Sequence, residues 1–147
     1  MEVVSQIKKG LAEIYGGTMK QPTQKATEIA KEIVKYWRME IYEGCWIQYI
    51  DVNGETQVEL VMVAKDNDLF FVKNGYSNDE MDGYFGIPSI SDAMKAIDNH
   101  SCSFTILQIL DNKFRDWIYG GSTTQEFYET LLSALLEVVK GETDGQS

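Results

Sequence analysis

The sequence predicts an α+β fold, with a mainly antiparallel sheet of about four strands packed by two N-terminal helices and a C-terminal helix. Three observations carry this. An Asn53-Gly54 dipeptide sits between two β-rich runs, the preferred chemistry for a tight hairpin turn. Helical apolar stripes occupy both ends of the chain. The 147 residues, 44% hydrophobic and 24% charged, suit one domain with a core of its own. That domain is placed at residues 1–140, with 141–147 ("GETDGQS") as a polar, disordered tail.

The elements follow in order. Val4, Ile7, Leu11 and Ile14 mark a first helix that Gly16-Gly17 ends, because glycine takes the left-handed C′ position cheaply. Thr23 is a candidate N-cap for a second helix with Ala26, Ile29, Ala30, Ile33, Val34 and Trp37 on its apolar face. The run "CWIQYIDVNGETQVELVMVAK" then reads as a hairpin. With a two-residue loop at 53–54, Cys45, Ile47 and Tyr49 lie opposite Met62, Leu60 and Val58 on one apolar face. Trp46, Gln48 and Ile50 lie opposite Val61, Glu59 and Gln57 on a mixed one. "DND" at 66–68 turns the chain into a third strand, "LFFVK" at 69–73, completing a meander. Residues 74–86 read as a long loop. "ISDAMKAID" after Ser89 is a short helix. "CSFTILQIL" at 102–110 is nearly continuous in apolar residues and reads as a later, central strand. "NKFRDWIY" is a short helix closed by Gly120-Gly121. Thr123 and Glu126 form a capping box that opens the last helix, which Gly141 stops.

Composition excludes several classes. The net charge is −10, which repels phosphates, so neither direct nucleic-acid binding nor an anionic membrane surface is expected. No apolar run approaches the ~20 residues that span a bilayer. The first ten residues lack the apolar core of a signal peptide. The cysteines are Cys45 and Cys102 alone, too few for a disulfide framework, and a cytoplasmic, intracellular protein with free thiols is expected. The charge is uneven: residues 66–100 carry two Lys against seven Asp and Glu, whereas residues 1–40 are slightly basic.

No catalytic pattern stands out, and no enzyme is expected. The single histidine, His100, is two residues from Cys102, without the surroundings of a nucleophile–base pair. CxxC and HExxH are both missing, so a zinc site is not expected. Counting from Asn78, Glu80, Asp82 and Gly83 fall at calcium-loop positions, but Ser89 stands where the bidentate Glu belongs. No metal and no cofactor is therefore assigned. Gly120-Gly121-Ser122 repeats Gly16-Gly17-Thr18, but without the Lys or the preceding strand of a phosphate loop.

The stretch "NGYSNDEMDGYFG" at 74–86 is the main candidate. Tyr76, Tyr84 and Phe85 flank Asp79, Glu80 and Asp82. Aromatic rings favour interfaces, and carboxylates steer a cationic partner. Trp46 on the hairpin is a further contact candidate. These residues point to a non-enzymatic, acidic protein-binding module. Its partner would be a basic protein, including one that handles nucleic acid, where carboxylates replace phosphates as in a DNA mimic. Small inhibitors and immunity proteins share this size, acidity and lack of catalytic motifs. Two rivals stand beside this reading. One is a small hydrolase or transferase with a carboxylate or Cys/His site under the 74–86 loop. The other is self-assembly, as a homodimer, through the apolar last helix.

Overall fold

The computed structural model describes residues 21–66, 69–100 and 103–145. The first predicted helix, its glycine stop and Cys102 lie outside these residues. The α+β expectation holds. Among the described residues, four helices pack beside a four-stranded antiparallel sheet.

Helix α1 spans Gln24–Ile33, and the Thr23 hydroxyl accepts from the Ala26 N–H at 3.1 Å, as its cap position requires. Strands β1 (Trp46–Ile50), β2 (Thr56–Asp66) and β3 (Leu69–Val72) form the meander. A 3₁₀ turn, Asn78–Glu80, leads into β4 (Asp82–Ile87). The sheet order is β3-β2-β1-β4, the Greek-key arrangement in which a fourth strand returns beside the first. Three helices follow: α2 (Ile90–Asn99), α3 (Phe104–Ile118) and α4 (Thr124–Gly145).

The predicted register is off by one residue. Trp46 faces Leu60, Ile47 faces Glu59 and Tyr49 faces Gln57. A two-residue type I′ turn needs positive φ at Asn53, but no non-glycine residue in the described chain has positive φ. Instead, the Gly54 N–H meets the Asp51 carbonyl at 3.0 Å, Gly54 takes φ +80°, and the Asp51 N–H meets the Glu55 carbonyl at 2.9 Å. This is a three-residue loop, a type I turn closed by a left-handed glycine. Asp51 selects it. Its carboxylate accepts from the N–H groups of Asn53 (2.9 Å) and Glu55 (3.0 Å) and from the Gln57 amide (3.1 Å). Hydrophobic sorting did not decide the register because apolar residues are buried on both faces of this sheet, Trp46 and Val58 packing against α1 on the second. Glu59 lies half-buried on the inner face, where the Tyr49 hydroxyl donates to it.

The fourth strand also lies elsewhere than expected. Residues 104–118 are helix α3, and β4 comes from the stretch that read as loop. Ser103 caps α3, accepting from the Ile106 N–H at 3.2 Å. The predicted short helix at 112–119 is the second half of the same element. In β4 two glycines hide the strand pattern. Gly83, at φ +55°, follows Asp82, the partner of Ile50, where the register shifts between Gln48 and Ile50. A Cβ on Gly86 would lie 2.8 Å from Met39 Cγ, so a side chain there would have to displace Met39, and glycine lets the Met39 side chain lie close on the strand.

The sheet curls. Phe70 of one edge strand meets Tyr84 of the opposite edge strand at 5.0 Å between centroids. Cys45, Ile47, Tyr49, Val61, Phe70, Val72 and Met81 fill the concave side. The convex side carries Phe85, Ile87, Trp46 and Val58 against Ala30 of α1 and Val34 at its C-cap. The helical core centres on α4, whose Phe127, Leu131, Leu132 and Leu135 are buried among α1, α2 and α3. Each such fully buried side chain contributes about 1.5–3 kcal/mol. The Thr123–Glu126 capping box forms as predicted. The wide apolar arc of α4 is thus consumed within the chain. The helix runs through Gly141 to Gly145; a lone helical glycine costs only ~1 kcal/mol, too little to force a stop. Among the described residues no helix is long and apolar enough to cross a membrane.

Candidate functional site

The 74–86 stretch is three short structures rather than one loop. First, Asn74-Gly75 makes a second hairpin turn. The Gly75 N–H meets the Val72 carbonyl at 2.9 Å, the Val72 N–H meets the Tyr76 carbonyl at 3.0 Å, and Gly75 has φ +94°. This repeats the geometry of loop 51–55. The returning residues run along the outer edge of β3, with Ser77 bridging Phe71. Asn78 extends the contact, its side-chain oxygen accepting from the Phe70 N–H at 3.1 Å. The edge of β3 is therefore covered, which removes a site of unwanted strand pairing.

Second, the 3₁₀ turn Asn78–Glu80 projects Asp79 and Glu80 into solvent, while Met81 beside them inserts into the concave core. Asp82 is also exposed, at the first position of β4. None of the three carboxylates takes part in an ion pair with a described residue, unlike Glu32 with Lys35 (2.9 Å), Asp111 with Arg115 (3.3 Å) and Glu126 with Lys113 (3.9 Å). An anchor on its N-terminal side helps hold this acidic turn. Asn74 donates to the Tyr49 hydroxyl at 3.1 Å and accepts from the Tyr76 N–H at 3.2 Å.

Third, β4 separates the candidate aromatics by alternation. Tyr84 faces the concave core, edge-on to Phe70, and Tyr76 packs against the same core; both are half-buried. Phe85 points the other way and is 6% exposed, locked between Ile87 and Ala30. Trp46, opposite Leu60, is half-buried in that same convex cluster. Tyr76 and Tyr84 therefore share the concave core, with the exposed Asp79, Glu80 and Asp82 on the segment between them, whereas Phe85 and Trp46 serve the contact with α1. Sequence reasoning missed the residues that fix the turn, namely Asn74, Asn78 and Arg38, whose guanidinium donates to the Tyr84 carbonyl at 3.3 Å. The second Asn-Gly pair was a readable signal. The role of Arg38 had none, since it lies 46 residues from its partner.

The other candidate chemistry finds bland places. His100 caps the end of α2; its Nδ1 donates to the Ala96 carbonyl at 2.6 Å, and Trp37 lies edge-on to the ring. Cys45 is buried, which pushes its thiol up to about 11 and keeps it protonated near neutral pH. Burial, then the hydrogen bond to Glu59, raises the Tyr49 hydroxyl likewise. Asp51 moves the other way: the Glu55 N–H, the Gln57 amide and the Asn53 N–H all favour its charged form. Among the described residues no three His, Cys, Asp or Glu side chains cluster as metal ligands. A shallow groove of about 410 Å³ runs between α1 and the first hairpin, past Gln24, Thr27, Glu28, Lys31, Gln48 and Val58. The acidic turn does not border it.

Exposed carboxylates also occur on α1, α2, α3 and α4. What distinguishes Asp79, Glu80 and Asp82 is density and fixation. Comparison with known proteins returned no match to a family model, a curated protein or a solved structure.

Proposed function

We propose that this protein is a non-catalytic binding module that docks on a basic protein through the turn bearing Asp79, Glu80 and Asp82. One observation carries the reading: three exposed carboxylates within four residues, none ion-paired with a described residue, on a turn fixed to the sheet by Asn74 and Asn78. Fixation matters because an ordered anionic surface loses little side-chain and loop entropy on binding. Tyr76 and Tyr84 border the acids with partly exposed rings, a combination suited to a contact with an apolar centre and a charged rim. Where the partner's basic surface is a nucleic-acid groove, the carboxylates occupy phosphate positions and docking inhibits. This is the DNA-mimic form of the proposal. Phe85 and Trp46 act in it as anchors of the turn's scaffold rather than as contacts.

Affinity capture from cell lysate with the native chain and with the Asp79→Asn, Glu80→Gln, Asp82→Asn triple variant tests this. The proposal expects a basic protein recovered by the native chain and lost from the variant. Equal recovery by both chains would remove the turn from the function. Competition by duplex DNA for the captured protein then tests the mimic form, which requires that the two exclude each other.

A further inference from the structure

We draw no further inference here: the strongest candidate, the exposed apolar patch of Phe104 and Leu107 on the N-terminal half of α3, is a helix face unpartnered among the described residues, and nothing in the structure shows what covers it.

Discussion

Loops 51–55 and 72–76 share one backbone and differ in what holds them. Each is a three-residue connection with Asn-Gly at its end and the glycine in the left-handed region. In the first, a carboxylate from the loop itself gathers the donors. Asp51 binds Asn53, Glu55 and Gln57, all within six residues. In the second, the organising side chain reaches across the sheet. Asn74 donates to Tyr49 on β1, which in turn donates to Glu59 on β2. The first loop is a local solution and ends in solvent. The second is tied to the concave core, and it launches the acidic turn. A surface that recognises a partner needs the second kind of support, because its geometry must survive outside the hairpin that makes it.

Removing the cross-sheet tie is expected to have the largest effect. Tyr49→Phe leaves a half-buried Glu59 carboxylate without its donor and the Asn74 amide without its acceptor, while the ring, 0% exposed, stays in place. An unsatisfied group of this kind costs ~1–3 kcal/mol. Urea unfolding of Tyr49→Phe, Asn74→Ala and the double variant measures it. Coupling between the two sites is expected, and strictly additive losses would show that the network does not hold the second loop.

Next come the glycines. A Cβ on Gly54 or Gly75 would meet nothing within 4 Å, so alanine at either is penalised only for its left-handed backbone, about 1–2 kcal/mol. Equal losses would confirm one turn type in both loops. A much smaller loss at Gly54 would mean that the first loop relaxes to another shape.

Acid then separates the loops. The carboxyl of Asp51 is held below its ordinary range by its donors. A depressed folded pKa gives stability that is fully present above the unfolded value, roughly 3.9. That stability is lost as pH falls through the lower folded value. Denaturant midpoints should therefore drop below about pH 4, and less so in Asp51→Asn. An unchanged profile in that variant would assign the acid sensitivity elsewhere. The smallest effect is expected at Val52, 66% exposed at the tip of the first loop. Val52→Ser should stay within ~0.5 kcal/mol of the native chain.

Those two loops also mark how far the sequence could be read. The Asn53-Gly54 hairpin was legible, but its register was not. Binary sorting works where one face is wet, and here Glu59 sits inward because Tyr49 satisfies it. The same dipeptide at 74–75 was hidden by its surroundings, since the strand that follows contains Gly83 and Gly86. At Gly86 the Met39 side chain lies close on the strand, a contact 47 residues away in sequence. Residues 104–110 misled in the opposite sense. An apolar run fits a buried strand or a helix equally well, and only the Ser103 cap and continuity with Phe114 and Trp117 decide for helix. The helix caps at Thr23 and Thr123 were readable because their partners lie within one turn. Of the candidate site, the acids could be read directly, but which ring accompanies them could not. Tyr84 and Phe85 are neighbours in sequence and lie on opposite faces of β4, so the assignment waited on strand pairing.

The most direct test of the docking account is the association rate with the captured basic partner, measured across ionic strength for the native chain and the Asp79→Asn, Glu80→Gln, Asp82→Asn variant. Electrostatic steering predicts a native rate that falls steeply with salt, a slower variant with a shallower slope, and convergence of the two at high salt. A native rate indifferent to salt, or the same rate and slope in both chains, would contradict it.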